Sequence, residues 1–280
     1  MIFWGALLTL IWDQLSPLHR PTQFDRLFVR YSDWVLHHFN AGTHSHGLLA
    51  WTVAALIPAL LVGLVGLALG ESNYFLGLAW GALVLYQCLG FRQISQLADE
   101  LQSALHRGDQ KNARLLLVEF GLDNVDAIPA QELNRVAVAQ VLQLGLSRVY
   151  GPLFWFMLLG PFGAVAHALS TPLAERWRGD TDFRVMIGRI LNLLDWLPVR
   201  LLAFSFAIVG NFEEAMLSWR SNNSDDTPSN AAILQAAGFG ALGMDDTSPD
   251  PDYVSGAAAL LKRAALVWLA LLGLLWLGGL

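Results

Sequence analysis

Two long apolar stretches, residues 47–69 and 74–90, constrain the fold more than any other feature of the sequence. Neither contains Asp, Glu, Lys or Arg, and the polar turn Glu71-Ser72-Asn73 separates them. An α-helix needs about 20 predominantly apolar residues to cross the hydrocarbon core of a bilayer. The two stretches therefore predict a transmembrane helical hairpin.

Further stretches extend this pattern along the chain. Residues 149–168 and 264–280 also contain no Asp, Glu, Lys or Arg and predict two more spans. Residues 1–12 are apolar but short and no basic segment precedes them, which favours a short or tilted span over a cleaved signal peptide. Residues 149–168 and 264–280 are each expected to contribute one pass to a helical bundle, while the sequence does not decide whether residues 1–12 cross fully.

Residues 185–209 differ from the other spans because Arg189, Asp195 and Arg200 interrupt them and Pro198 lies within them. Charged side chains at membrane depth usually face the bundle interior or a watery cavity, and this makes the segment a candidate functional site. An interfacial or re-entrant helix with a structural ion pair is the alternative. The sequence leaves both interpretations open.

The amino-acid composition indicates that part of the protein is surrounded by a lipid bilayer. The chain is 55% hydrophobic and 14% charged, whereas soluble domains carry about 25% charged residues. The net charge of −6 argues against a nucleic-acid partner, and a single cysteine, Cys88, excludes an intramolecular disulfide. Because strand periodicity is also lacking, we predict an all-α, multi-pass membrane protein.

The polar stretches between spans predict the domain organisation. Ile94, Leu97, Ala98 and Leu101 follow helical periodicity, and Gly108-Asp109 predicts a helix end followed by a new N-cap. We expect one membrane domain, residues 1–280, with a cytosolic helical insertion at 91–148 and a polar loop region at 211–261. Most Lys and Arg residues fall on the side of that insertion, which predicts a cytoplasmic face and a place in a bacterial inner membrane.

Short motifs in four places carry a family resemblance. They are Ala104-Leu105-His106-Arg107-Gly108-Asp109 with Ala113-Arg114, Gly151-Pro152-Leu153-Phe154-Trp155, Asp195-Trp196-Leu197-Pro198-Val199-Arg200-Leu201, and Asn230-Ala231 followed by Gly240-Ala241-Leu242-Gly243. Together they resemble the CobD/CbiB superfamily of cobalamin biosynthesis and its relative AmpE, a membrane protein linked to β-lactamase regulation. The synthase branch joins an aminopropanol-type phosphate to a corrinoid carboxylate, with nucleotide and magnesium.

Several acidic residues expected from that resemblance are replaced in this sequence. The family's carboxylate positions fall on Ala139, Gln143, Ser147, Leu191 and Asn192. Magnesium binds through oxygen ligands, so their loss removes donors that the synthase chemistry needs. The resemblance then implies an AmpE-like, non-catalytic modulator or anionic-ligand-binding protein of envelope or cell-wall signalling.

Two other functions stay open. One is an adenosylcobinamide-phosphate synthase with relocated ligands such as Asp123, Glu175 and Asp195, which alone would require nucleotide and magnesium. The other is a structural subunit of a membrane complex. We otherwise expect no cofactor and no metal site, while the partners are the lipid bilayer and either an anionic small molecule or another membrane protein.

The candidate ligand-binding residues combine matches to the family with arginines in or near the spans. Guanidinium groups suit phosphate and carboxylate. The set is Asp123, Arg135, Arg148, Arg189, Asp195, Trp196, Arg200 and Asn230. Arg148, Arg189 and Arg200 are expected to converge if the third span packs against residues 185–209. In the structural alternative, Arg200 pairs with Asp195 or extends to lipid headgroups.

Histidines form a second group of candidates. A dense run precedes the first clear span and offers imidazoles for zinc or nickel, with solvated juxtamembrane side chains as the default interpretation. The run comprises His37, His38, His44 and His46. Two further histidines, His106 and His167, have no catalytic partner visible in the sequence.

Overall fold

The computed structural model describes residues 5, 9, 30–35, 44–176, 181–222, 229–244 and 250–278. These residues are helical apart from short turns and none lies in a strand, so the predicted all-α class is confirmed. The predicted span over residues 1–12 lies outside the described part apart from Gly5 and Thr9. His37 and His38 also lie outside it.

The helices are numbered in chain order. They are α1 (His44–Trp51), α2 (Ile57–Ser72), α3 (Tyr74–Cys88), α4 (Phe91–His106), α5 (Gln110–Glu119), α6 (Leu133–Gly145), α7 (Gly151–Arg176), α8 (Thr181–Val209), α9 (Phe212–Asn222), α10 (Asn230–Leu242) and α11 (Asp252–Leu277). A π-helical turn, Thr52–Leu56, joins α1 to α2, and a second one, Leu146–Tyr150, joins α6 to α7.

Helical stretches long and apolar enough to cross a bilayer occur five times in the described residues. They are Gly47–Ser72, Tyr74–His106, Ala130–Ala174, Val185–Val209 and Asp252–Leu274. The chain is therefore a multi-pass membrane protein. The predicted hairpin is confirmed as α2 and α3, where the extended backbone of Asn73 breaks the helix and its side chain accepts a hydrogen bond from the backbone N–H of Phe75 at 2.8 Å.

The described residues cluster into two compact units. The first comprises Met1–Gly90 and Ser147–Asp195, and the second comprises Phe91–Leu146 and Trp196–Leu280. In the first unit α2, α3 and α7 pack on one another; in the second, α11 packs against α4 and α6 while α9 pairs with α10. The predicted single domain with a cytosolic insertion stays a prediction.

Two prolines, Pro58 and Pro198, each leave one backbone carbonyl of the first unit without the N–H that would pair with it in a helix. Pro198 has no N–H, so the carbonyl of Leu194, four residues earlier, loses its intrahelical hydrogen bond. The indole Nε1–H of Trp155 on α7 donates to that carbonyl at 3.2 Å. In membrane helices such carbonyls need a donor from a neighbouring element, and Trp155 supplies it.

In the π-helical turn after α1, a side chain from another element also donates to the carbonyl affected by proline. Ile57 N–H donates to the carbonyl of Thr52, which sets the i→i+5 register. In that register the carbonyl of Val53 would pair with residue 58, which is Pro58 and has no N–H. The hydroxyl of Tyr31 donates to the Val53 carbonyl at 2.7 Å and so completes this turn.

In the second unit the predicted break between α4 and α5 is confirmed. Gly108 has a φ of +69°, which favours glycine. The Asp109 side chain then accepts a hydrogen bond from the backbone N–H of Asn112 at 3.1 Å, as an N-cap does. Two adjacent residues therefore determine both the end of one helix and the start of the next.

The region predicted as a polar loop, residues 211–261, is helical over most of its described length because it contains α9, α10 and the start of α11. Close packing stabilises these short helices, since the backbone N–H of Asn211 donates to the carbonyl of Ala241 at 2.9 Å. Gly240 lies directly against the backbone of Glu214 and Ala215. Tertiary packing of this kind stabilises helices that a polar sequence alone does not predict.

Candidate functional site

Three of the predicted site residues meet in the second unit, where α8 lies beside the first residue of α10. The guanidinium carbon of Arg200 lies 4.2 Å from the centre of the Trp196 ring. Arg200 Nη1 donates to the carbonyl of Trp196 at 2.8 Å and lies 3.4 Å from Oδ1 of Asn230. We call Trp196, Arg200 and Asn230 the arginine cluster.

Local structure explains how each member is placed. Trp196 and Arg200 are four residues apart on α8, so their side chains lie on one face of the helix. Asn230 begins α10, whose N-cap, Ser229, accepts a hydrogen bond from the backbone N–H of Ala232 at 3.1 Å. The positive end of the α10 dipole therefore lies next to the guanidinium group.

The cluster has the chemistry of an anion-binding group. Arg200 is half-buried and stacked, which orients its planar fork, and the Trp196 side chain beside it is half-exposed at 52%. A guanidinium oriented in this way suits bidentate contact with phosphate or carboxylate. An indole face next to the cation also offers apolar surface to a ligand.

Asp195, the carboxylate that the sequence suggests as a partner for Arg200, belongs to the first unit and has a partner there. It lies 2.7 Å from Nε2 of His167. The alternative of an Asp195–Arg200 pair stays a prediction.

Two other predicted site residues of the second unit lie elsewhere in it. Arg135 is exposed on α6 with its guanidinium carbon 4.9 Å from the ring of Phe239. Phe239 is nine residues from Asn230 on α10, a rise of about 13 Å. Asp123 is exposed in the turn after α5, where Arg114 donates to the carbonyls of Val125 and Ile128.

The remaining predicted residues belong to the first unit. Arg148 lies in the π-helical turn Leu146–Tyr150, and its carbonyl accepts a hydrogen bond from Gly90 N–H at 3.2 Å. Arg189 is exposed on α8. Convergence of Arg148, Arg189 and Arg200 on one ligand stays a prediction.

In the structure, His106 and His167 each lie beside a carboxylate that was not predicted from the sequence. His106 Nε2 lies 2.9 Å from Oδ1 of Asp252, which also accepts from Gln102 at 2.6 Å, and all three side chains are at the surface of the second unit. The buried His167 meets Asp195 across 28 positions of sequence. The contact between His167 and Asp195 could have been predicted, because an imidazole and a carboxylate in neighbouring apolar spans are expected to pair.

The synthase alternative would require a site for magnesium, which binds through oxygen ligands. Among the residues that the structure describes, no three His, Cys, Asp or Glu side chains are grouped so that they could hold a metal ion. Of the three acids named above as possible relocated ligands, Glu175 and Asp195 belong to the first unit and Asp123 to the second. Metal binding by the histidine run stays untested, because its side chains are outside the described set.

Comparison with known proteins places the chain in a family. The family described as CobD/Cbib protein matches residues 3–245. The cobalamin biosynthesis protein CobD of Stutzerimonas stutzeri is 32% identical over 228 residues, which cover 78% of this chain and 73% of that protein. Protein AmpE of Shigella flexneri is 23% identical over 290 residues, covering 100% of this chain and 99% of its own length.

Other relatives carry similar names. The cobalamin biosynthesis protein CobD of Chromobacterium violaceum is 27% identical over 211 residues, covering 67% of this chain and 68% of that protein. No solved structure matches the chain. The match over most of the sequence, the helical membrane fold and the shared motifs lead to one conclusion: this chain belongs to the CobD/CbiB family of membrane proteins.

Proposed function

We propose that this chain is a membrane protein that binds an anionic or amphiphilic ligand through Arg200 and acts as an AmpE-like, non-catalytic modulator of envelope or cell-wall signalling. The observation that carries the proposal is the stacked Arg200 guanidinium beside Asn230 at the start of α10. A cation at membrane depth is costly unless a partner or an anionic ligand compensates it.

The geometry supports an anion as that ligand. Of the guanidinium nitrogens, Nη1 is directed to Trp196 and Asn230. Both contacts are to neutral oxygens, so they orient the fork without neutralising its positive charge. Phosphate and carboxylate are the groups that complement a charge of this shape.

Sequence composition at the family's acidic positions supports a non-catalytic role. Ala139, Gln143 and Ser147 stand where the resemblance expects carboxylates. AmpE of Shigella flexneri aligns with the whole chain, which supports the AmpE-like part of the proposal.

The experiment is phosphate-dependent thermal stabilisation of the purified full-length protein in detergent. Inorganic phosphate should raise the melting temperature of the wild type, while the same ionic strength of chloride should not. Arg200→Ala should weaken phosphate binding about tenfold or more, since a hydrogen bond to a charged group contributes about 1.5–3 kcal/mol. Arg200→Lys should retain part of the effect because it keeps the charge and loses the fork.

Arg220→Ala is the matched control, because Arg220 is an exposed arginine on α9 in the same unit and its removal changes the net charge equally. Equal phosphate responses in Arg200→Ala and Arg220→Ala would overturn the proposed anion site. A melting temperature that responds to chloride and phosphate alike would do so too.

An adenosylcobinamide-phosphate synthase is the second candidate function, and the names of the relatives favour it, since the Stutzerimonas and Chromobacterium proteins are both called cobalamin biosynthesis protein CobD. A synthase-deficient bacterial strain separates the two candidates. Growth on a corrinoid precursor after introduction of this chain would establish the synthase and overturn the non-catalytic role. Failure to rescue growth, with the protein present in the membrane at normal level, is the outcome that we expect.

A further inference from the structure

A groove at the surface of the second unit lies between α4 and α5. It has a volume of about 430 Å³ and is lined by Asp99, Glu100, Ser103, Arg107, Asn112 and Leu116. We call it the α4–α5 groove. Small-molecule sites have volumes of about 300–1,000 Å³, so the groove is large enough for a ligand of that kind. It shares no residue with the arginine cluster.

The helix break at Gly108 builds the groove, because α5 turns back along α4 after it. The lining residues of α4 are spaced by three or four positions, which places them on one side of that helix. Asp99, Glu100 and Arg107 are all exposed. Charged side chains are costly in the hydrocarbon core, so the groove opens to water and not to lipid.

The polar lining of the groove is not used by the protein itself. The side chains of Asp99, Glu100, Ser103 and Arg107 make no hydrogen bond or ion pair with any residue that the structure describes. On the adjacent side of α4, by contrast, polar side chains are paired within the protein, since both contact Asp252. The lining side chains are therefore available to a ligand.

The sign of the charge changes along the groove. Asp99 and Glu100 lie at one end, and Arg107 lies seven residues beyond Glu100, a rise of about 10 Å along α4. Asn112 belongs to the first turn of α5, where the helix dipole is positive. The guanidinium and this dipole favour an anion at their end, whereas the two carboxylates favour a cation at the other.

A ligand that satisfies both ends carries a cation and an anion about 10 Å apart. An extended peptide spans about 3.3–3.6 Å per residue, so about three residues separate its charged termini by this length. We propose that the α4–α5 groove binds a short peptide, with its amino terminus between Asp99 and Glu100 and its carboxylate at Arg107. The peptide amides then lie beside Ser103 and Asn112.

The ligand class is tested with triglycine and the full-length protein in detergent, by titration in saturation-transfer difference NMR. N-acetyl-triglycine lacks the cation and triglycine amide lacks the anion. Each should bind about two- to fivefold more weakly than triglycine, the usual effect of losing one exposed ion pair. Free glycine carries both charges but cannot join the two ends, so it should also bind more weakly.

Two variants assign the ends of the peptide to the ends of the groove. Glu100→Gln should weaken the binding of triglycine but not of N-acetyl-triglycine, which has no cation to lose a partner. Arg107→Gln should weaken the binding of triglycine but not of triglycine amide. Glu213→Gln and Arg220→Gln are the matched controls, because both residues are exposed on α9 in the same unit and lie outside the groove lining. Both controls should bind triglycine as the wild type does.

Equal binding of triglycine and either blocked form would overturn the proposal. An equal loss in Glu100→Gln and Glu213→Gln, or in Arg107→Gln and Arg220→Gln, would do so too. Glycine that binds as tightly as triglycine would refute the length of the ligand. None of these measurements uses phosphate or changes Arg200, so they fail or succeed independently of the phosphate experiment.

Discussion

At the scale of single residues, the contact between Gly151 and the His167 ring gives a prediction. Gly151→Ala should destabilise the protein by about 1–3 kcal/mol, the usual range for inserting a methyl group into a packed interior, because the new Cβ overlaps the ring. Denaturant or thermal unfolding in a fixed detergent measures the change.

Gly188→Ala is the control for that substitution. Gly188 lies on α8 in the same unit, and a Cβ there would meet nothing within 4 Å. Because alanine favours helix over glycine, this variant should be neutral or more stable. If the two alanine variants were equally stable, the close approach of His167 to Gly151 would be refuted.

Single residues also show how far sequence reasoning reaches into the site. Trp196, Arg200 and Asn230 were predicted as site residues from their motifs, and they do lie together. The role of His167 was missed, because its contact with Asp195 depends on how α7 packs against α8. A periodic pattern in one helix does not specify which side chains of another helix it meets.

At the scale of helices, a proline is accommodated inside a continuous helix. Pro198 lies within α8, and the helix continues because Trp155 replaces the donor that proline lacks. Helix ends that depend on local chemistry, such as Gly108 and Asp109, were predictable. The helices of region 211–261 were not, because packing between α9 and α10 supports them.

A double-mutant cycle tests the link between Trp155 and Pro198. Trp155→Phe removes the indole donor and should cost about 1 kcal/mol of stability beyond any change in packing. In a Pro198→Ala background the same change should cost less, since the introduced alanine supplies its own backbone N–H to the carbonyl of Leu194. Unfolding free energies of the four proteins give the coupling.

The packing loss of Trp155→Phe occurs in both backgrounds and cancels in the cycle. A positive coupling free energy therefore reports only on the hydrogen bond to the Leu194 carbonyl. Equal costs of Trp155→Phe with and without Pro198 would show that the indole hydrogen bond does not compensate for the proline.

At the scale of the whole molecule, hydropathy predicted the membrane character and four of the spans, but not all of their limits. The last span was predicted to begin at residue 264, whereas α11 begins at Asp252. Lys262 and Arg263 interrupt the apolar run, yet both are exposed side chains on a continuous helix. A hydropathy profile therefore ends the predicted span at these charged residues, although the helix itself continues past them.

Membrane topology provides the prediction at this scale. In a Cys88→Ser background, a cysteine introduced in place of Ser72, at the end of α2, should react with a membrane-impermeant maleimide in intact cells. A cysteine in place of Lys111 on α5 should react only after the cells are opened, because the distribution of Lys and Arg predicts a cytoplasmic position for residues 91–148.

Each labelling position is exposed, so reactivity reports the side of the membrane and not burial in the protein. Labelling of Lys111→Cys in intact cells would reverse the assigned orientation. Labelling of both positions from outside would contradict the cytosolic insertion.

Trp155 donates to the carbonyl that Pro198 leaves without its helical donor, and the two residues lie far apart in the sequence. Across relatives, the two positions should then evolve as a pair: a lineage that replaces the proline at 198 relieves the constraint on the tryptophan at 155, and one that keeps the proline inherits the need for a donor there.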